Sequence, residues 1–374
     1  MISFYPGPPG ADAAQAAADA ISRGLFSAGH YTALTERFFQ EEMGAAGILL
    51  TPSCTSSLHM ALRLVPIGRG DEVLLPSYNF PAAGNATLLC GGKPVLCDID
   101  GKTQNLDLRD AARKISKRTK AIIAVHYGAV ACDMEGLQTL CRENGLTLIE
   151  DAAQAVGATV NGRYLGTLSR FGCFSFHATK VFRCGEGGAL CYKDGDAAQA
   201  ALYRDNGTNR EAFLQGGCTA YDWQGLGESM RMSELNAAVL YPQLMRREEI
   251  IQKRLAIQRA YGLAFQNAAE RGLLSPMAVP EGCKTNAHLY YVRLKDKQTR
   301  LRVQHSLLAL GIPALTHYVP LHLSPMGAAL GYGPNDLPES KKTYETLLRL
   351  PIHEEMTEDQ AFFVAEAFLK AVQA

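Results

Sequence analysis

The sequence predicts an α/β protein: a large domain built on a mostly parallel seven-stranded sheet, followed by a small C-terminal α+β domain. Three observations carry this reading. Between residues 46 and 192 seven short apolar runs (GILLT, DEVLLP, KPVLCDI, KAIIAV, LTLIED, FGCFSF and GGALCY) alternate with helical patterns, and strands separated by helices pair in parallel through right-handed crossovers. A long Ala-, Leu-, Gln- and Arg-rich helical stretch at 233–270 then leaves that rhythm behind. The chain of 374 residues is long enough for both units.

In chain order, an Ala-rich stretch at 11–23 reads as a first helix, and the seven runs follow as strands. The segment ATVNGRYLG at 158–166 interrupts them with a hairpin turning at Asn161-Gly162, because Asn-Gly readily takes the left-handed backbone of a tight two-residue turn. Pro242 is expected to kink or break the long helical stretch, since its ring removes a donor and clashes with the preceding turn. Beyond residue 275 the pattern reads as a strand in HLYYVRL, a helix over about 299–310, a strand near 312–318 and two terminal helices. Residues 1–240 are therefore assigned to the large domain, and 241–374 to the bridging helix and small domain.

Composition narrows the function. Lys plus Arg (37) balance Asp plus Glu (37), so no global positive field draws the chain to nucleic acid or to an anionic membrane. The apolar runs are far shorter than a membrane span. The first residues lack a basic start followed by an apolar segment, so a cytoplasmic location is expected. The ten cysteines are scattered, without a C-x-x-C pair or zinc spacing, and read as reduced thiols with no metal site. Nucleotide motifs fail: Gly101-Lys102-Thr103 has Leu96 where a P-loop needs its first glycine, and Gly185-Glu186-Gly187-Gly188 has Leu190 where a dinucleotide fingerprint needs its last.

What remains sits at predicted strand ends, where doubly wound sheets build their sites. TPSCTSS at 51–57 lies between a strand and a helix, and free amides, hydroxyls and the helix dipole there suit a phosphate. A plain helix cap is the alternative. Asp151 ends the apolar strand LTLIED, with Gln154 three residues on. It is either a charge held for a cationic partner or a cap for a following helix. Lys180 follows FGCFSF and precedes GEGG; it is either a solvated charge or, if desolvated, a carbonyl nucleophile. Together, a phosphate cradle, a carboxylate for a pyridine nitrogen and a Schiff-base lysine are the requirements of pyridoxal 5'-phosphate.

In order and spacing, TPSCTSSL, VHYGAVACDM, EDAAQ, GCFSFHATK and GEGG resemble the DegT/DnrJ/EryC1/StrS nucleotide-sugar aminotransferases, over nearly the whole chain. The resemblance implies a fold-type I, pyridoxal-phosphate-dependent homodimer with its active site at the subunit interface. It implies Lys180 as the Schiff-base lysine, Asp151 as the pyridine nitrogen's partner, Gln154 near the 3-hydroxyl, and Thr55, Ser56 and Ser175 on the phosphate. Phe80 falls where the family sets an aromatic ring over the pyridine; by itself it reads as a core phenylalanine. Arg231 replaces an asparagine by which many relatives reach the phosphate from the partner subunit. Arg183, Arg210 and Arg231 are candidates for the amino donor's carboxylates. His317 and Tyr318 are candidates for substrate binding, and His126, His177 and His317 each read, as lone histidines, as structural or hydrogen-bonding residues. The segments GTNR, NAHLYYVRL and HYVPLH point, again by resemblance, to members that use L-glutamate to aminate a dTDP-linked 4-keto-6-deoxyhexose for surface polysaccharide. The family's sugar 3-dehydratases carry histidine where this chain has Lys180, which disfavours that chemistry. A non-catalytic sensor on the same scaffold is disfavoured by the intact Asp151 and Lys180.

Overall fold

The computed structural model describes residues 2–24, 26–214 and 216–373. All seven apolar runs are strands of one sheet: β1 (Gly47–Thr51), β2 (Glu72–Pro76), β3 (Lys93–Cys97), β4 (Thr119–Val125), β5 (Thr147–Asp151), β6 (Phe171–Ser175) and β7 (Gly188–Tyr192), in the order β1-β7-β6-β5-β4-β2-β3. The strands from β2 to β6 pair in parallel. β7 runs antiparallel to both its neighbours. A parallel return needs a crossover, usually a helix, whereas residues 176–187 between β6 and β7 contain none, so the chain folds straight back. That reversal creates the loop that carries Lys180.

The strands are buried on both faces, as expected of a sheet covered by helices. Along β4, Ile122 and Ala124 enter a core shared with helices His30–Met43, Met134–Asn144 and Glu234–Met245, while Ala121, Ile123 and Val125 enter one shared with helices Cys54–Leu64, Ala82–Leu89 and Ala197–Arg204. The hairpin forms as expected: Thr159–Val160 pairs with Arg163–Tyr164, and Asn161 and Gly162 take φ of 49° and 76°.

The long helical stretch is two helices. Pro242 stands inside Glu234–Met245, and the break falls a turn later at Arg246, before Arg247–Glu270. The first packs on helices Ala11–Arg23 and His30–Met43. The second sends Ile257, Tyr261 and Phe265 into a separate core with Val303, Leu307 and Phe368. The sheet beside it is antiparallel, β8 (Ser275–Pro276), β9 (Tyr290–Arg293) and β10 (Leu347–Leu350) in that order.

Three local expectations are corrected. No strand forms at 312–318: Leu315 makes a single bridge to Arg349, and Tyr318 takes φ of 43° between Pro313 and Pro320. The terminal helices Pro338–Thr346 and Glu358–Gln373 are separated by β10, whose apolar run LLRL is too short to be distinguished from helix by periodicity. No helix follows Asp151; residues 152–158 are turns. Among the described residues no helix is long and apolar enough to cross a membrane.

Candidate active site

The carboxyl ends of β1, β4, β5 and β6 and the start of β7 meet at one edge of the sheet, around a cavity of about 480 Å³. Its lining includes Thr55 after β1, Phe80 after β2, Asp151 at the end of β5, Gln154, Ser175 at the end of β6, Lys180, His177, His317 and Tyr318. This is the volume and position of a small-molecule site in such a fold.

Helix Cys54–Leu64 points its N-terminus into the cavity. Ser53 is its cap: the Ser53 hydroxyl accepts from the Ser56 amide at 3.1 Å, and the Ser57 amide donates to the Ser53 carbonyl. One residue thus fulfils the capping role. The amides of Cys54 and Thr55 then have no acceptor among the described residues, and Thr55 lines the cavity. Ser56 stands just behind, its hydroxyl 3.0 Å from that of Ser53. Open amides, a dipole end and hydroxyls form an anion cradle.

Asp151 is buried. Its Oδ1 accepts from the Ala153 amide at 3.1 Å and meets the Cys54 thiol. Burial raises its pKa, opposed by the Ala153 amide and by Lys180. With no helix after it, Asp151 is not a helix cap. The neighbouring Glu150 is fully buried on the other side of the strand. It accepts from the amides of Gly166, Leu168 and Ser169, and faces His126 Nε2 at 3.0 Å. His126 Nδ1 accepts from the Cys132 amide, so its proton sits on Nε2 and goes to Glu150. Both are structural.

Lys180 rides the β6–β7 loop. The loop is pinned at its base where the Phe176 amide donates to Gly187 and the Ala178 amide to Gly185, both at 2.8 Å. Gly185 takes φ of 88°, the left-handed region open to glycine. Gly188 lets β7 press against the cradle: a Cβ there would lie 2.4 Å from the Ser53 carbonyl carbon. Burial lowers the Lys180 pKa below its ordinary 10.5, partly offset by Cys54 and Asp151. Desolvation of this kind frees a lysine amine for attack on a carbonyl.

Around this pair, Gln154 holds the Gly128 amide at 2.7 Å and donates to the Tyr318 hydroxyl at 3.2 Å. His317 stacks on Tyr318 with ring centres 3.7 Å apart, and its Nδ1 meets the Tyr127 hydroxyl at 3.0 Å. Phe80 is 58% exposed beside the cavity, so it is no core residue.

The chain from 9 to 369 matches the DegT/DnrJ/EryC1/StrS aminotransferase family. The chain belongs to this family. It is 30% identical over 100% of its length, and 97% of the relative's, to dTDP-4-dehydro-2,3,6-trideoxy-D-glucose 4-aminotransferase from Saccharopolyspora spinosa. It is 34% identical to GDP-perosamine synthase from Caulobacter vibrioides, covering 89% and 88% of the two chains. In fold it is similar to the putative sugar aminotransferase Spr1654 from Streptococcus pneumoniae in its PMP form, with TM-score 0.93 at 24% identity, covering 100% and 99%. This aminotransferase is therefore of fold-type I and uses pyridoxal 5'-phosphate. The residues fit that cofactor: an anion cradle at Ser53–Thr55, a buried carboxylate and a desolvated lysine share one cavity.

The three arginines singled out in the sequence are engaged elsewhere. Arg183 pairs with Glu354 at 3.0 Å and donates to the Gly7 carbonyl at 2.7 Å. Arg231 binds Asp205 at 2.6 Å and Glu211 at 2.8 Å. Arg210 is half-exposed, 3.9 Å from Asp205. None of the three lines the cavity within this chain. Sequence reasoning passed over Arg349, Asn79 and His288, which do line it. An arginine inside the apolar run LLRL was the available signal for the first. His288 lay within NAHLYYVRL without being singled out, and Asn79 carried no signal of its own. Each also has a buried nitrogen without a partner, Asn79 Nδ2 and His288 Nδ1, and such atoms call for a hydrogen-bonding ligand.

Proposed function

We propose that this aminotransferase moves an amino group from L-glutamate to C4 of a dTDP-linked 4-keto-6-deoxyhexose, giving dTDP-4-amino-4,6-dideoxygalactose for surface polysaccharide. The observation that carries the reading is the placement of Lys180 and Asp151 in one cavity beside an anion cradle. The Saccharopolyspora spinosa relative, named for a dTDP-linked 4-keto sugar, supports the nucleotide and the reacting carbon. The Caulobacter vibrioides relative, named for a GDP-linked product, makes the guanine nucleotide the natural competitor.

Bound pyridoxal phosphate supplies an aldehyde for the amine and a ring that accepts the electron pair left by a departing proton. In our reading the Cys54 and Thr55 amides, with the Thr55, Ser56 and Ser175 hydroxyls, hold its phosphate. Asp151 keeps a proton on the pyridine nitrogen, an ion pair that is strong in so dry a site. Lys180 Nζ takes the proton from Cα of the donor and later returns one to the sugar carbon that receives nitrogen. Gln154 orients the ring's hydroxyl side, and Phe80 covers its face. His317 and Tyr318 stand at the wall where a sugar would sit.

We read the working unit as a homodimer. Phe213, Leu214, Tyr221, Trp223 and Leu226 are exposed on one segment, apolar side chains that a partner chain would cover. Arg231, bound to Asp205 and Glu211 within its own chain, has no part in that reading. The deciding test is turnover of the purified protein with glutamate on a panel of dTDP-, UDP- and GDP-linked keto sugars, with the product's C4 configuration read by NMR. Amination of a GDP- or UDP-linked sugar in preference to every dTDP sugar would refute the substrate assignment.

A further inference from the structure

An aminotransferase of this kind takes two anionic substrates in turn, and the lysine and arginine that line its cavity are Lys180 and Arg349. Lys180 is needed for the chemistry. Other arginines close to the site have carboxylate partners: Arg183 and Arg254 share Glu354, and Arg231 has Asp205 and Glu211. Arg349 has none within ion-pair distance among the described residues, and its buried Nε has no acceptor. An unmatched guanidinium inside a cavity is costly unless a ligand completes it.

Arg349 is also held in place. Its amide donates to Leu315 at 2.8 Å, its carbonyl accepts from Leu315 at 3.2 Å, and β10 sets it opposite Tyr291. Its guanidinium lies 5.0 Å from the centre of the Phe4 ring, a contact that restrains a cation without neutralising it. Its charge bears on Lys180, His288, His317 and Tyr318. It lines the same cavity as Lys180, His288, His317 and Tyr318.

We propose that Arg349 binds the α-carboxylate of the amino donor and of its 2-oxo acid product. This rests on the transaminase reading above. The choice of anion follows from bond counting. The α-carboxylate is attached to the very carbon whose proton Lys180 removes, so a fixed guanidinium near Lys180 meets it. The diphosphate of a nucleotide sugar hangs from C1, across the ring from a reacting C4. A planar fork also suits a carboxylate in a two-pronged contact.

The test compares wild-type protein with Arg349→Gln and Arg349→Lys. Calorimetric titration with 2-oxoglutarate reads carboxylate binding without turnover, titration with dTDP reads the nucleotide arm, and absorbance reads cofactor occupancy. Loss of one charge-assisted contact predicts about 10- to 100-fold weaker 2-oxoglutarate binding in Arg349→Gln. Arg349→Lys should recover only part of it, with dTDP affinity and occupancy unchanged. Spectral titration with L-glutamate should show the same loss. Unchanged 2-oxoglutarate affinity in both variants overturns the proposal, and so does a loss confined to dTDP or to cofactor occupancy. A wild-type protein that exchanges with glutamate but aminates no nucleotide sugar would instead sink the substrate assignment and leave Arg349 in place.

Discussion

Lys180 and Asp151 set what single residues must do. Reduction of the cofactor-loaded protein with borohydride should fix the label to the peptide containing Lys180; a label on Lys193, which donates to the Thr167 carbonyl outside the cavity, would refute the assignment. Because burial lowers the Lys180 pKa, the neutral amine exists below the ordinary lysine range. Cofactor uptake by the apo-protein should thus rise with pH with a midpoint under 10.5, followed by absorbance. A midpoint at or above the ordinary value would show that the side chain is solvated. Asp151→Asn should fold and lose about a hundredfold or more of its activity, since an amide cannot hold a proton on the pyridine nitrogen. The helix-cap alternative no longer protects it, because residues 152–158 are turns. Near wild-type turnover in that variant would remove the carboxylate from the mechanism.

At the scale of elements, the site depends on how closely β7 approaches the first turn of helix Cys54–Leu64. A methyl group on Gly188 would meet Ser53 and Cys54 backbone atoms at 2.4 and 2.5 Å, and backbone cannot yield as a side-chain tip does. Gly188→Ala should therefore cost about 1–3 kcal/mol and weaken cofactor retention, read by melting temperature and by occupancy after dialysis. A stable variant that keeps its cofactor would show that the contact is slack. The alternation of apolar runs with helical patterns made these strands legible. The antiparallel turn of β7 was not, because apolar runs report burial and say nothing about direction. The strand β10 was hidden for a related reason: LLRL is too short to show a period, and only its pairing with β9 makes it a strand.

Across the whole molecule, Glu354 ties three regions together. It accepts from Arg183, just past Lys180, at 3.0 Å, and from Arg254, on the helix that serves the second core, at 2.9 Å. Burial alone would raise its pKa, but Arg254 and Arg183 outweigh burial and hold it below 4.5. Its contribution to stability is thus complete above the ordinary carboxylate value and is lost as pH falls through the lower folded value. Glu354→Gln leaves two buried guanidinium groups facing one another and should cost about 3–5 kcal/mol, seen as a lower denaturation midpoint whose acid dependence is flattened. An unchanged midpoint would mean that the two arginines find other partners.

The sequence by itself determined the sheet, the hairpin, the cofactor class and the residues at strand ends, because periodicity and local motifs are short-range properties. TPSCTSS, EDAAQ and the lysine before GEGG each left a plain alternative open, and only together did they point to the cofactor. Only the tertiary structure decided which cations face the cavity. Arg183, Arg210 and Arg231 looked available and Arg349 was passed over, yet acids far away in the chain or across a loop claim Arg183 and Arg231, and none of the three reaches the cavity. A side chain's freedom to bind a ligand depends on which distant groups have already paired with it, and pairing at long range is settled only when the chain has folded.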